Sequence, residues 1–276
     1  MRSAPDRGAG ASRPDGRFAR LRAARRVWAI AAIRGEARRL AQLHDTISER
    51  FQMGDRVVYL GNYVGGGAVF ATIDELLDFR RRVLGRQGGA ACDVVFLRAA
   101  QDEMWQKLLQ LQFAPNPGEL LQWMVRAGME TTVRAYGGDL RQGFAACLDG
   151  ARAITRWTGA LRSAMNATPG HTALFAALRH AAFTEDRGLL FVHAAIDPSR
   201  PLSEQRDAFW WGLEDILELK ERFAGFRRVV RGVDRDRRGV VEREFAVSVD
   251  GGAGPGGRLI AACFGLDGAV VDIAEA

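Results

Sequence analysis

The stretch 56-RVVYLGNYVGGG-67 decides the fold and raises the first question about function. Residues 56–60 form a short, largely apolar run typical of a buried strand, and Gly61, Asn62 and a cluster of glycines at 65–67 follow directly. Glycines at the end of a strand let the backbone come close to another group, often a phosphate or a metal ion. This loop contains no carboxylate, lysine or histidine, so the glycines alone do not identify what it would hold.

Strand-like and helix-like segments alternate around this stretch. Strands are predicted at 26–33, 55–61 and 91–98, and helices at 35–51 and 69–85, the first of which carries Leu40, Leu43 and Ile47 on one face. Alternation of this kind implies right-handed crossovers and a largely parallel sheet, and therefore an α/β fold.

The second half of the chain changes character twice. Residues from about 102 to 185 are predicted to form a helical insertion, with 171–183 as its last helix. A strand is predicted at 188–196, and the end of the chain is strand-rich, with hairpin-type turns at Gly251-Gly252 and Asp267-Gly268.

The positive charge lies mainly at the N-terminus. The formal net charge is +6, and residues 1–26 contain eight arginines and two aspartates, so the remainder is close to neutral. This composition predicts a disordered, Arg-rich tail at 1–26, capable of weak nucleic-acid contact, followed by one domain at 27–276. No segment is apolar enough to span a membrane. Three cysteines without CxxC spacing predict a cytoplasmic protein without structural zinc: Cys92, Cys147 and Cys263.

The predicted strand ends carry five ordered blocks: AAIRG (31–35), GNYVGGG (61–67), LRAAQDE (97–103), FVHAAIDPSRPL (191–202) and VVRGVDR (229–235). In order and spacing they resemble the signature blocks of the calcineurin-like metallophosphoesterases. The resemblance extends over residues 27–275 and is greatest to the bacterial protein-phosphatase and symmetrical diadenosine-tetraphosphatase branch. It implies two mixed β-sheets packed as a sandwich, flanked by helices, with a helical insertion.

In that family the blocks supply carboxylate, imidazole and amide ligands for two divalent cations, which bind a phosphate and generate hydroxide. Here most of these positions carry other residues. The first Asp and His correspond to Ala32 and Arg34, and the bridging Asp to Asn62. The phosphate-binding Arg corresponds to Gly66. The Asn and His of the third block, and the His of the last, correspond to Ala100, Gln101 and Val233.

Of the six ligand positions, only His193 is retained, with Asn62 able to offer one amide oxygen. One imidazole and one amide do not hold two cations, so we expect no cofactor; Mn, Fe or Zn would be needed if the protein were active. Since Arg34, Arg98 and Arg231 lie in the blocks, one hypothesis is a metal-free anion site. The preferred alternative is that Asp102, Glu103 and Asp234 neutralise these arginines. His44 is predicted to lie on the solvated surface.

Three functions are therefore considered. The first is a pseudophosphatase that binds a protein or a phosphorylated ligand. The second is a residual hydrolase of the protein-phosphatase or dinucleoside-tetraphosphatase type, using His193, Asp102 or Glu103 as acid or base. The third is binding to nucleic acid or to a membrane surface through the Arg-rich tail.

Overall fold

The computed structural model describes residues 16–86, 89–90, 93–212 and 214–276. These residues contain eleven strands: β1 (Phe18–Leu21), β2 (Arg26–Ile30), β3 (Asp55–Tyr59), β4 (Val94–Phe96), β5 (Ala181–Thr184), β6 (Leu189–Val192), β7 (Arg228–Arg231), β8 (Gly239–Glu242), β9 (Ala246–Asp250), β10 (Ile260–Gly265) and β11 (Val270–Glu275). They also contain nine α-helices: α1 (Ala37–Arg50), α2 (Val69–Leu84), α3 (Ala100–Leu108), α4 (Pro117–Met124), α5 (Glu130–Ala135), α6 (Leu140–Asp149), α7 (Ala151–Ala167), α8 (His171–Ala177) and α9 (Ala208–Trp211).

The strands form two mixed sheets. One sheet has the order β11-β10-β2-β3-β4, in which β2, β3 and β4 are parallel, and β10 is antiparallel to both β2 and β11. The other has the order β1-β5-β6-β7-β9-β8, with parallel pairing of β6, β7 and β9. The predicted parallel front of the chain is thus confirmed in the first sheet.

Alternation along the strands produces three apolar layers. Val27 and Ala29 on β2 pack between the two sheets, together with Phe191 of the second sheet. Trp28 and Ile30, on the other face of β2, pack under α1, α2 and the helical insertion. A third cluster covers the outer face of the second sheet with residues from 195–226. Because strands such as β2 and β6 are buried on both faces, they appear in the sequence as continuous apolar runs.

The structure corrects three predicted boundaries. Phe18–Leu21 pairs in parallel with β5 and Leu21 is buried, so the predicted disordered tail does not extend to residue 26. Residues 1–15 of that predicted tail, and Cys92, lie outside the described residues. The helical insertion begins at Ala100, and its last predicted helix ends at Ala177 because Ala181–Thr184 forms β5.

The two predicted hairpin turns have different outcomes. Asp267-Gly268 does join the antiparallel strands β10 and β11. Gly251-Gly252 instead leads from β9 in one sheet toward β10 in the other, so that prediction was wrong. Within the described ranges, no helix is both long enough and apolar enough to cross a membrane.

Candidate functional site

The predicted blocks meet where β2, β3, β4, β6 and β7 end. The backbone N–H of Ala32 donates to the carbonyl of Gly232 (3.0 Å), and the N–H of Arg34 donates to the carbonyl of Asn62 (2.7 Å). Gly232 in turn donates to the carbonyl of His193 (3.0 Å). These bonds bring four of the five blocks together, and Val233 follows Gly232 directly. The fifth joins through Gln101, whose N–H donates to Oδ1 of Asn62 (3.1 Å).

His193 is buried at the end of β6 and is neutral near pH 7. Its Nδ1 lies 2.6 Å from the carbonyl oxygen of Leu60, which accepts only, so Nδ1 carries the proton. Burial lowers the pKa of His193 to about 4; the Leu60 bond opposes this shift, and the nearby Arg34 cation adds to it. Nε2 therefore has a free lone pair, without a hydrogen-bond partner in the described part of the chain.

The backbone and the side-chain oxygen of Asn62 both form hydrogen bonds within the protein. It adopts a left-handed backbone conformation (φ 57°), and its side-chain oxygen accepts from the N-terminus of α3. Its own N–H donates to the carboxylate of Asp102 (2.9 Å), which also accepts from Tyr63 (3.0 Å) and Ala99 (3.1 Å). Burial raises the pKa of Asp102 to about 7. The backbone N–H donors oppose this shift, because they favour the charged form of the carboxylate. Asp102 thus fixes the loop after β3 to the start of α3.

The glycine loop packs against the protein's own backbone. A β-carbon at Gly35 or Gly66 would overlap the carbonyl oxygen of the other turn, and one at Gly65 would overlap the Gln101 side chain. The N–H of Gly65 donates to Oγ1 of Thr132 in the helical insertion (2.9 Å). The glycines are therefore required for contact between the turn after β2, the loop after β3 and the helical insertion. The group that the glycine loop approaches closely is thus the protein's own backbone.

The chain is similar to a solved structure described as a diadenosine tetraphosphatase. It aligns with a TM-score of 0.55 and 18% identity, over 94% of this chain and 97% of that one. The chain has the calcineurin-like phosphoesterase fold. A serine/threonine phosphatase from Saccharomyces cerevisiae (TM-score 0.48, 12% identity) and a cold-active protein-tyrosine phosphatase from a psychrophilic Shewanella (0.49, 11%) each align over 94% of this chain and 82% of theirs. No family model and no curated protein matches the chain.

The residues that the sequence resemblance places at metal positions do not fit a two-cation centre. Ala32, Ala100 and Val233 have no side-chain donor atom, and Arg34 brings a positive charge. The Asn62 oxygen is already an acceptor for Gln101. No group of three or more His, Cys, Asp or Glu side chains arranged to hold a metal occurs within the described ranges. Among the described residues at these positions, only His193 has a free atom, Nε2, with the chemistry of a metal ligand.

Each arginine of the predicted anion site is paired with a carboxylate. Arg98 contacts Glu103 (2.9 Å), and Arg231 contacts Asp234 (3.0 Å), as the ion-pair alternative predicts.

Other partners of these arginines were not predicted. Arg231 also contacts Asp215 (2.9 Å), and Arg34 contacts the buried Asp250 (3.2 Å) instead of Asp102. Asp250 ends β9, and nothing in its local sequence identifies a partner 216 positions away. Arg34 holds this contact with a left-handed backbone (φ 54°).

His44 is another residue for which the sequence prediction was wrong. It is fully buried between α1, α2 and β3, stacked on Phe79 with the ring centroids 3.9 Å apart. Its Nδ1 lies 2.5 Å from Oε1 of Glu75, and its Nε2 lies 2.8 Å from the hydroxyl of Tyr59. Burial lowers the pKa of His44, although Glu75 opposes the shift. Its polar contacts make it a satisfied core residue.

Proposed function

We propose that this chain is a pseudophosphatase: it keeps the phosphoesterase fold, does not hydrolyse phosphoesters and acts as a binding or regulatory protein. The observation that carries the proposal lies at the end of β2. There Ala32 is completely buried without a donor atom, and Arg34 is held in an ion pair with Asp250. A cation placed between Arg34 and His193 would meet a positive charge and a single nitrogen ligand.

The side chains available for acid–base chemistry also support this proposal over a residual hydrolase. Asp102 accepts hydrogen bonds from three backbone N–H groups within the protein, and Glu103 is paired with Arg98. His193 is 1% exposed. A general acid or base must reach the proton it transfers, and these groups are engaged by the protein instead.

The bound partner of a pseudophosphatase could be a phosphorylated ligand. The side chain of Arg34 is 25% exposed and that of Arg98 is 26% exposed, which leaves part of each available to an anion. Their carboxylate partners would compete with such a ligand. Titration calorimetry with inorganic phosphate and nucleotides tests this role: binding that Arg34→Ala abolishes supports it, and absence of heat rejects it.

Catalysis is tested with the purified full chain by elemental analysis and by assays on p-nitrophenyl phosphate and diadenosine tetraphosphate with added manganese. We expect neither stoichiometric metal nor turnover.

A variant carrying Ala32→Asp, Arg34→His, Asn62→Asp, Ala100→Asn, Gln101→His and Val233→His is the matched positive control, since it supplies the family's donors. With its folding verified by circular dichroism, it should bind manganese more tightly than the wild type. Manganese-dependent turnover by the wild type that is lost in His193→Ala would reject the proposal.

A further inference from the structure

The helical insertion carries an unusual share of exposed apolar surface. Of the seven large hydrophobic side chains exposed in the described part of the chain, four lie there: Phe113, Trp123, Phe144 and Leu148. Phe144 and Leu148 are 36% and 89% exposed and stand one turn apart on α6. They border a hollow of about 520 Å³, whose other wall includes Pro117 and Gln122 of α4. Isolated surface hydrophobics are ordinary, but a ridge beside a hollow is typical of a contact surface.

The two faces of α6 differ sharply. Its inner face is built from small residues, with Gly143 lying so close to Trp157 that a β-carbon would be 2.6 Å from the indole ring. Its outer face carries six exposed residues: Arg141, Gln142, Phe144, Ala145, Leu148 and Asp149. All of them except Gln142 follow one another at spacings of three and one.

The charges on the outer face stand at opposite ends of the helix. Arg141 lies in its first turn and Asp149 is its last residue. Neither side chain has an ion-pair partner among the residues that the structure describes. Arg141 and Asp149 are each four positions from Ala145. Along the helix, the outer face is therefore positive at one end, apolar in the middle and negative at the other end, with Ala145 at its centre.

We propose that α6 packs antiparallel against α6 of a second copy of this chain, about a two-fold axis at Ala145. In this arrangement Arg141 of each copy meets Asp149 of the other, which forms two equivalent ion pairs. Phe144 and Leu148 of both copies are removed from water, and the small Ala145 lets the helices approach closely. The same patch serves both copies, as two-fold symmetry requires, and antiparallel helix dipoles add to the attraction.

The charge pattern identifies a second copy as the partner. A surface with opposite charges placed evenly about its centre is complementary to itself in the antiparallel orientation only. The ten residues of α6 span only about 15 Å, so the interface is smaller than a standard one, even with the rim of α4 included. The dimer is therefore weak and depends on protein concentration.

Sedimentation equilibrium of the full chain over a concentration series tests the proposal. The wild type should dimerise. Arg141→Asp replaces both ion pairs with repulsions and should raise the dissociation constant about tenfold or more. Asp149→Arg should do the same, and the double variant Arg141→Asp/Asp149→Arg should return the constant to near the wild-type value. These residues are exposed, so the variants are expected to fold normally.

Cross-linking gives an independent test of the axis. In a Cys147→Ser background, Ala145→Cys should form a disulfide-linked dimer on mild oxidation. Ser163→Cys, exposed on α7 away from the axis, is the matched control and should not. A wild type that stays monomeric at every accessible concentration overturns the proposal. A dimer that Arg141→Asp leaves unchanged, or that the double variant fails to restore, overturns it as well.

Discussion

Protonation of His193 is expected to destabilise the fold strongly, and the effect can be worked out from its surroundings. The pKa of histidine is 6.5 in the unfolded chain and about 4 in the folded protein, where burial and Arg34 disfavour the charged ring. Between these values the unfolded chain binds a proton that the folded protein does not bind. The free energy of unfolding therefore falls as the pH drops from 6.5 to 4.

The size of the effect follows from the difference between the two pKa values. At about 1.4 kcal/mol for each pKa unit, it amounts to about 3 kcal/mol at pH 4 and vanishes above pH 6.5. Asp102 acts in the opposite direction, because its pKa is raised from 3.8 to about 7 in the fold. The folded state then binds the extra proton, and stability rises as the pH falls through that range. The wild-type curve alone does not separate the two residues.

A pair of proteins isolates the contribution of His193. Urea unfolding of the wild type and of His193→Gln, each measured near neutral pH and near pH 4, gives for each protein the loss of stability caused by acid. Asp102 and the other titrating groups contribute equally to both losses, so the difference between the two losses is the contribution of His193. We expect the wild type to lose about 3 kcal/mol more than the variant. An equal loss in both proteins, or an imidazole titration by NMR with a pKa near 6.5, would show that the His193 environment is not as described.

Three further substitutions test the packing of the site by urea unfolding. Gly35→Ala should lower the free energy of unfolding by about 2–4 kcal/mol, because Gly35 has a φ of 76° and the added β-carbon would overlap the glycine loop. The control Gly137→Ala has the same φ but open space around the new β-carbon, and should cost about 1 kcal/mol. Equal losses in the two variants would exclude the packing effect. Arg34→Ala should cost about 1–2 kcal/mol, since Asp250 loses its cation but Arg34 is partly solvated. Asp102→Ala should cost about 3 kcal/mol by leaving backbone donors unpaired, and Asp102→Asn less; no loss in either variant would contradict the bonding described.

The sequence predicted the fold largely because buried strands have a clear local signal. The apolar runs at β2, β3 and β6 are continuous since both faces of these strands are covered. By contrast, Phe18–Leu21 lies among arginines and becomes a strand only through pairing with β5, more than 150 residues away. The same long-range pairing turns 181–184, which has a helical pattern, into a strand. Local propensity gives no information about such partners.

At the candidate site, too, local features could be predicted from the sequence and long-range contacts could not. The block positions identified the residues that meet at the strand ends, because short motifs keep their place relative to each strand. Their partners could not be derived: Arg34 depends on Asp250 from a distant strand, and His44 is buried because Glu75 satisfies it from the neighbouring helix. Charge and hydrogen-bond pairing between distant segments is decided by the tertiary fold.

The residues at the strand ends are physically consistent with one another if no metal binds. Carboxylates at Ala32 and Asn62 would lie in a buried region, the second of them beside the carboxylate of Asp102, and only cations would offset that charge. Restoring a donor alone should therefore be harmful. We expect Ala32→Asp to destabilise the protein by about 3–5 kcal/mol at neutral pH in the presence of a chelator, with Ala32→Asn, the neutral control, costing less. If Ala32→Asp were as stable as the wild type under these conditions, the cost of a buried, uncompensated carboxylate would not account for an alanine at this position.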